Sequence, residues 1–266
     1  MLVATFVVVA AIARGTPLTR DLLIIGGGSA GLTAAKFAAT FGKSVTIIEK
    51  ARLGGDCTWT GCVPSKTLLA IAKRAHAART AGNCDFLSVS PTAKVVVDMK
   101  AVKAKVASVV EKIYTEDDSV EALQKLGIET VEGAASFIDS SNVLVERPEG
   151  TMQMCAKQGI IIATGAGPVT PKLDGLHSVP YITYEDVFSL DTLPARLTVV
   201  GGGPIGCELS QAFSRLGTTV TLVAPCLLPG EEAEAVGVAR SELLDLWMGA
   251  LSGSQAWDPV GRPSEW

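Results

Sequence analysis

The stretch GGGSAGLTAAKFAATFGKSVTIIEK, residues Gly26–Lys50, decides the fold. It begins with the spacing GxGxxG directly after an apolar strand, Leu22–Ile25, and ends in a second β-branched strand, Val45–Ile48. In such a turn the first glycine permits a tight bend, the second lets a pyrophosphate approach the backbone, and the third lets the helix pack on the strand. The pyrophosphate then meets the free N–H groups of the helix N-terminus. The stretch therefore predicts a dinucleotide-binding βαβ unit.

The residues predicted to hold the nucleotide lie in this turn and at the end of the next strand. They are Gly26, Gly28, Ser29, Ala30, Gly31, Glu49 and Lys50. Glu49 follows the turn by about 20 residues, the distance at which an acid binds a ribose hydroxyl. A lone GxGxxG is a weak signal, and a merely structural turn is the alternative. The flanking strand, helix and acid favour nucleotide binding.

The same pattern occurs a second time in GGGPIGCELSQAFSRLGTTVTLVAP, residues Gly201–Pro225. It aligns with the first copy without a gap, so Gly201, Gly203 and Gly206 are predicted to hold a second nucleotide. The position that matches Glu49 is Ala224, which provides no acid for a ribose hydroxyl. The second copy thus predicts the fold without a preference for NAD or NADP. A nucleotide-binding half with weakened cofactor binding is the alternative.

The sequence between and after the two copies predicts further regular elements. These are a helix at Ser65–Thr80, a helix or helix pair at Asp98–Gly127, short antiparallel strands at Ile128–Glu146, a buried strand at Gln158–Gly165 and a helix at Glu231–Leu246. The predicted fold class is α/β with two Rossmann-like units, the second incomplete. The predicted borders are an extension at 1–20, an FAD-type domain at 21–167, a linker at 168–190, a partial NAD(P)-type domain at 191–246 and an irregular tail at 247–266.

Composition excludes several classes of protein. The net charge of −4, with no basic block, gives no support for nucleic-acid binding. Six cysteines in 266 residues are too few for the disulfide framework of a small secreted domain. The apolar run Leu2–Ala13 is shorter than the ~20 residues that span a bilayer, and no Lys or Arg precedes it as in a signal peptide. The length of the run and the small residues of Ala11-Ile12-Ala13 also suit a signal peptide with its cleavage site, and this alternative stays open. We expect a buried or disordered extension and no membrane partner, and the compartment, cytoplasmic or organellar, stays open.

Two cysteines lie close together in GGDCTWTGCVPSK, residues Gly54–Lys66. A zinc site needs about four ligands, and Cys57 and Cys62 supply two of them. A structural staple across so short a loop stabilises little. A redox pair has local support, because Pro64 suits the first turn of a helix and places Cys62 just before the helix N-terminus. The helix dipole, with Lys66 one turn further, favours a thiolate at Cys62.

These motifs resemble one known family. GGxCxxxGCxPSK after a first GxGxxG, then Ala163-Thr164-Gly165, then GGGPIGCE, is similar to the class I pyridine nucleotide-disulfide oxidoreductases. Members include dihydrolipoyl dehydrogenase, glutathione reductase and mercuric reductase. The resemblance runs in family order from about Asp21 to about Pro229, and the cysteine motif is highly specific.

The resemblance implies a mechanism and two cofactors. FAD would bind the first unit and NAD(P)H, as co-substrate, the second. Electrons would pass through the flavin to a Cys57–Cys62 disulfide, with Cys62 next to the flavin and Cys57 exchanging with substrate. Lys66 would lie near the flavin and pair with Glu208. The implied cofactor-binding residues also include Gly55, Thr164 and Gly165.

The chain also departs from the family's pattern. Full-length relatives are homodimers with a C-terminal domain that carries a His–Glu acid/base pair, and the sequence up to Trp266 offers no counterpart. We therefore expect a C-terminally truncated reductase that holds FAD weakly and lacks full turnover of a disulfide or metal-ion substrate. The alternative is a non-catalytic nucleotide-binding protein with a regulatory or assembly role.

Overall fold

The computed structural model describes residues 17–81 and 95–247, excluding the side chains of residues 244–247. Most of the predicted extension, and all but the first residue of the predicted tail, lie outside these residues. The described chain forms two compact units. The first contains residues 17–57 and 112–167, and the second contains residues 58–81, 95–111 and 168–247.

The first unit is built on a six-stranded sheet. Its strands are β1 (Leu18–Ile25), β2 (Val45–Glu49), β3 (Ile128–Glu132), β4 (Ala134–Phe137), β5 (Asn142–Arg147) and β6 (Gly150–Ile162), in the order β3-β2-β1-β6-β5-β4. The four strands β3, β2, β1 and β6 pair in parallel, whereas β4 and β5 are antiparallel to their neighbours. Helix α1 (Ser29–Thr40) joins β1 to β2, so the first copy of the repeat is the predicted βαβ unit.

Both faces of this sheet are covered. On one face, Ile24 and Ile47 pack with Leu32 of α1 and Leu123 of the short helix α5 (Val120–Lys125). On the other, side chains of β1 and β2 pack against the β4–β5 hairpin and β6. Strands buried on two faces carry continuous apolar runs, which explains why β1 and β2 are so clear in the sequence. Burying each large apolar side chain contributes about 1.5–3 kcal/mol.

Two strand predictions need correction. The segment Ile128–Glu146 was expected to be antiparallel throughout, but β3 pairs in parallel with β2. The chain enters β3 from a helical connection, and such crossovers join parallel strands. The strand expected at Gln158–Gly165 begins earlier, at Gly150, because its first half pairs with β5. Its end is not buried, since Ile162 is 65% exposed.

The second unit packs helices around a two-stranded parallel sheet. Its elements are α3 (Cys62–Thr80), most of α4 (Met99–Ile113), β7 (Arg196–Val200), α6 (Pro204–Leu216), β8 (Thr219–Val223) and α7 (Ala233–Trp247). Leu68 and Ala72 of α3, Val106 of α4, and Phe213 of α6 form one buried cluster. The helices predicted at 65–80 and 231–246 are confirmed, and the predicted helix pair consists of α4 and α5 joined by a π-helical turn at Tyr114–Asp118.

The division into units cuts across the sequence-predicted domain order. Helix α3 and most of α4 lie within the stretch assigned to the FAD-type domain, yet their apolar faces pack with α6 in the second unit. The predicted linker contains no strand and two single 3₁₀ turns, Leu176–Ser178 and Val187–Ser189. No helix in residues 17–81 and 95–247 is long and apolar enough to cross a membrane. The functional assignment of the domains stays a prediction.

Candidate cofactor and redox site

The first glycine turn requires two of its glycines for reasons internal to the protein. Gly26 has a φ of +105°, and a methyl group added to it would lie 2.2 Å from the carbonyl oxygen of Ala163. A methyl group added to Gly31 would lie 1.9 Å from the carbonyl oxygen of Gly26. These contacts leave no room for a side chain. The two glycines thus form the tight bend and the close approach of α1 to β1.

Gly28 is different, because the protein leaves room at this position. A methyl group there would lie 3.7 Å from the Cα of Gly55, an ordinary contact, and would meet no other heavy atom within 4 Å. Gly28 is the N-cap of α1 without a side-chain cap, and Ser29 and Ala30 are exposed in the first turn. An open backbone before uncapped helical N–H groups is the arrangement that accepts a diphosphate. The turn therefore has room for the diphosphate of a dinucleotide.

Glu49 lies at the end of β2 and is bound from two sides. Its Oε2 accepts a hydrogen bond from the Gly27 N–H at 2.6 Å, and its Oε1 accepts one from the Ala51 N–H at 2.8 Å. A carboxylate has about four lone-pair directions, so acceptor capacity remains for a ribose hydroxyl. The neighbouring Lys50 is exposed.

Two further predicted segments lie at the same turn. The Cα of Thr164 is 3.1 Å from a methyl group placed on Gly26, and the exposed Gly165 follows with a φ of +69°. Gly54 donates its N–H to the Gly27 carbonyl oxygen at 2.9 Å. Gly55 then begins the short helix α2 (Gly55–Trp59), which contains the half-buried Cys57. The first unit thus brings together the turn, Glu49, Thr164 and the segment leading to Cys57.

The second glycine turn repeats the first one's backbone. Gly201 has a φ of +126°, and a methyl group on Gly206 would lie 2.0 Å from the Gly201 carbonyl oxygen. A methyl group on Gly203 would meet nothing within 4 Å, and Gly203 is the N-cap of α6, with Pro204 in its first turn. This turn fits a second diphosphate by the same reasoning. Ala224, in the position of Glu49, is buried.

The predicted ion pair between Lys66 and Glu208 is present in the second unit. The Lys66 Nζ donates to Glu208 Oε1, and the two side chains are 60% and 37% exposed. Cys62 is exposed and is the first residue of α3, one helical turn before Lys66. A thiol at a helix N-terminus lies in the positive end of the helix dipole.

A contact that was not predicted from the sequence joins the C-terminal ends of α3 and α6. Arg79 donates from its guanidinium to the Arg215 carbonyl oxygen at 2.6 Å and to that of Leu216. These carbonyls belong to the last turn of α6, where hydrogen bonds from within the helix run out. Since Lys66 and Glu208 join the opposite ends, α3 and α6 run in the same direction. Only the late position of a basic residue in α3 could have suggested this contact.

The thiol of Cys207, near the second turn, is buried. Burial raises the pKa of the Cys207 thiol, and its Sγ donates to the Gly202 carbonyl oxygen at 3.4 Å. A raised pKa keeps a thiol protonated and hence poorly nucleophilic. Within the described residues, no group of three or more His, Cys, Asp or Glu side chains is arranged to hold a metal ion.

Comparison with known proteins assigns the family. The family model described as "Pyridine nucleotide-disulphide oxidoreductase" matches residues 20–239. The chain belongs to this family. Its members are oxidoreductases that use FAD together with NAD(P)H. The predicted family, α/β fold class and cofactors are therefore confirmed.

Individual relatives support this assignment over part of their length. Dihydrolipoyl dehydrogenase of Haloferax volcanii is 37% identical over 257 residues, which covers 94% of this chain and 52% of the relative. Mercuric reductase of Streptomyces lividans is 34% identical over 212 residues, covering 80% and 44%. The HOCl-induced flavoprotein disulfide reductase RclA from Escherichia coli, solved as a Cu(II) complex, has a TM-score of 0.69 at 28% identity, covering 86% and 48%. The chain spans about half the length of these relatives.

Proposed function

We propose that this chain transfers electrons from NAD(P)H through FAD to a Cys57–Cys62 disulfide, and from there to a disulfide or metal-ion substrate. The observation that carries the proposal is the repeated glycine turn. In both copies the glycine expected to face a diphosphate is the one where the protein itself leaves space. The cysteine motif between the two turns supplies the electron acceptor.

The first unit binds and orients the flavin cofactor. When bound, FAD supplies a ring that takes two electrons from NAD(P)H and delivers them to a disulfide. The Gly26–Gly31 turn receives the diphosphate at the N-terminus of α1. Glu49 offers its remaining lone pairs to a ribose hydroxyl while Gly27 and Ala51 fix its carboxylate. A cofactor held at these points has a defined position relative to α2.

The cysteines carry out the thiol chemistry. The disulfide takes up two electrons and two protons and becomes two thiols. The Cys57 thiolate then attacks one sulfur of a substrate disulfide, forms a mixed disulfide and releases the first substrate thiolate. Cys62 attacks the Cys57 sulfur of this mixed disulfide, which restores the Cys57–Cys62 bond and releases the second substrate thiolate. The N-terminus of α3 stabilises the thiolate form of Cys62 that this step needs.

Lys66 and Glu208 supply the local charge. By the family resemblance Lys66 would lie near the bound flavin, and a cation there would favour the uptake of electrons by the ring. Glu208 holds the Lys66 ammonium in place on the exposed side of α3 and α6. Because the two side chains are 60% and 37% exposed, the pair adds little stability, which favours a role in chemistry over a role in folding.

The test is a reductive titration of the purified chain reconstituted with FAD. We expect long-wavelength thiolate-to-flavin charge-transfer absorbance on addition of NADH or dithionite, together with two new thiols per FAD. Cys57→Ser should show this absorbance before any reduction, because it frees Cys62, whereas Cys62→Ser should never show it. FAD binding without new thiols would contradict the proposal and leave a non-catalytic nucleotide-binding protein. Assays with lipoamide, oxidised glutathione and Hg(II) then identify the substrate class.

A further inference from the structure

We propose that the connection Glu49–Gly55 is a positioning element: it fixes α2, and with it Cys57, against the turn that holds the FAD diphosphate. The inference rests on the proposed function, because it concerns how the thiol is placed relative to that cofactor. Gly55 is the last residue of the connection and the first residue of α2. It acts through the backbone, so it is a positioning residue and not a catalytic one.

The first observation is that the connection uses both backbone polar groups of Gly27. The Gly27 N–H donates to Glu49 Oε2 at 2.6 Å, and the Gly27 carbonyl oxygen accepts from the Gly54 N–H at 2.9 Å. The other carboxylate oxygen, Oε1, accepts from the Ala51 N–H at 2.8 Å. Two of these hydrogen bonds are accepted by a carboxylate, and hydrogen bonds to a charged group are stronger than those between neutral groups, so the connection is held firmly on the turn.

The second observation is tight packing at the same residue. Leu53 is 6% exposed, and its Cδ2 would lie 2.6 Å from a methyl group placed on Gly27. The Leu53 side chain therefore fills the space beside Gly27. A glycine at position 27 allows this approach, in addition to the roles of Gly26, Gly28 and Gly31.

The third observation is a crossing of two glycines. A methyl group on Gly55 would lie 2.7 Å from the Gly28 Cα and 3.6 Å from the Gly28 nitrogen. Backbone atoms cannot move aside as a flexible side chain can, so any side chain at position 55 forces the two segments apart. Gly55 also has a φ of +55° and is the first residue of α2, two residues before Cys57. A shift at Gly55 therefore moves Cys57.

The second unit contains part of this arrangement, but its connection carries Cys226 within the loop and does not lead directly into a cysteine-bearing helix. Leu228 donates its N–H to the Gly202 carbonyl oxygen at 2.6 Å, as Gly54 does to Gly27. There the next helix, α7, begins only at Ala233. The close crossing at Gly55 is thus specific to the copy that carries the redox cysteine, which is what a positioning role requires.

The experiment compares Gly55→Ala with Gly42→Ala. Gly42 has a φ of +68° in the same unit, and a methyl group there would meet nothing within 4 Å, so this control carries backbone strain without a clash. We expect Gly55→Ala to slow the appearance of two thiols per bound FAD by about tenfold or more, since a misplacement of about 1 Å can lower a rate by about 10². Gly42→Ala should match the wild type. FAD affinity, measured separately, corrects for occupancy.

A second measurement needs neither FAD nor turnover. In a Cys62→Ser background without FAD, the alkylation rate of Cys57 by iodoacetamide reports how α2 is held. We expect Gly55→Ala to raise this rate several-fold over Gly42→Ala. Glu49→Gln, which loosens the connection without a clash, should raise it less and serves if Gly55→Ala does not fold. Equal alkylation rates in all the variants would overturn the positioning role.

The two proposals fail in different ways. A wild-type chain that binds FAD and forms no thiols on reduction refutes the proposed function. A wild type that forms thiols, with Gly55→Ala equal to it per bound FAD, refutes only the positioning role.

Discussion

The two glycine turns have the same close backbone contacts at their first and third glycines. They differ at the end of the following strand, where the first unit has Glu49 and the second has Ala224. Gly26 and Gly201 both have positive φ, and methyl groups on Gly31 and Gly206 would lie 1.9 and 2.0 Å from the carbonyl oxygens of these first glycines. Glu49 contacts the first turn, whereas its counterpart Ala224 has no carboxylate. The comparison teaches that glycines within one motif are required for separate physical reasons.

The sheets behind the two turns differ as well. The first turn extends from a six-stranded sheet with both faces covered, and the second from a two-stranded sheet. Alternate residues of β7 and β8 are exposed, among them Val200 at 54% and Val223 at 50%. Valines left exposed to solvent at such positions contribute less hydrophobic free energy than buried ones. We therefore expect the first unit to be the more stable of the two.

The largest effect is expected from alanine at the third glycine of each turn. Gly31→Ala and Gly206→Ala each force a methyl group against a carbonyl oxygen, and overpacking of this kind lowers the free energy of unfolding by about 3 kcal/mol or more. Urea titrations followed by far-UV circular dichroism measure the loss. Gly42→Ala, with open space around it, should lose only about 1 kcal/mol. Equal losses at positions 31 and 42 would contradict the packing role.

The middle glycine should behave in the opposite way. Gly28→Ala is expected to leave the urea midpoint close to the wild type, since the protein leaves room for a methyl group. It should weaken FAD binding by about tenfold, or about 1.4 kcal/mol, because the methyl group blocks the diphosphate. Gly203→Ala should weaken NAD(P)H binding and spare FAD. Fluorescence titrations with each nucleotide measure both constants.

The decisive result is that each variant weakens the binding of one nucleotide only: Gly28→Ala that of FAD, and Gly203→Ala that of NAD(P)H. If Gly28→Ala weakened neither nucleotide, or if each variant weakened both nucleotides equally, the assignment of one cofactor to each turn would be wrong. Position 28 in the first unit and position 203 in the second serve as controls for each other.

Much of this comparison was predictable from the sequence. The repeat Gly26–Lys50 and Gly201–Pro225 predicted both βαβ units, because buried parallel strands and glycine turns leave strong local patterns. The pairing partner of β3 was not predictable locally, since an isolated strand such as Ile128–Glu132 carries no record of its neighbour's direction. The early start of β6 depends on its pairing with β5, and the exposure of its end depends on which segments pack there, so neither was predictable locally.

The parts of the site that were predictable from the sequence are those carried by short motifs. Glycine positions and the Lys66–Glu208 pair followed from spacing and family resemblance. The hydrogen bonds that Gly27 makes with Glu49 and Gly54 were not predictable, because backbone contacts between separated segments leave only a glycine as a signal in the sequence. Arg79 was missed for the same reason, as its partners are backbone carbonyls that any residue provides. The pairing of Cys57 with Cys62 stays a prediction.

A smaller effect is expected when the lysine is replaced in one lysine–carboxylate pair of each unit. In the first unit Lys36 pairs with Asp118 at 3.4 Å, and the Asp118 side chain is only 10% exposed. In the second, the side chains of Lys66 and Glu208 are 60% and 37% exposed. Lys66→Met should change the free energy of unfolding by less than about 0.5 kcal/mol, whereas Lys36→Met should lose about 1 kcal/mol or more. Urea titrations compare them, and a larger loss at Lys66 would make its pair structural.

The smallest effect concerns the start of each βαβ unit, where Asp21 in the first corresponds to Arg196 in the second. Asp21 Oδ2 accepts from the Ser44 N–H and from the Ser44 hydroxyl, both at 2.8 Å, and these hydrogen bonds lower the pKa of Asp21. A carboxyl whose pKa falls on folding stabilises the protein above its unfolded-state pKa, and this contribution is lost as pH falls through the folded value. Asp21→Asn should therefore be less stable than the wild type at neutral pH, and the difference should vanish in acid.

Asp191 of the second unit is the matched control for this last experiment. Its pKa is also lowered, but chiefly by a hydrogen bond and charge attraction from the Lys103 ammonium, 2.9 Å away between side chains that are 40% and 62% exposed. Exposed ion pairs are screened by salt, whereas the hydrogen bonds from Ser44 involve no second charge. Added sodium chloride should therefore narrow the stability difference for Asp191→Asn and leave that for Asp21→Asn nearly unchanged. Equal salt sensitivity in the two variants would show that Asp21 acts through charge and not through its bonds to Ser44.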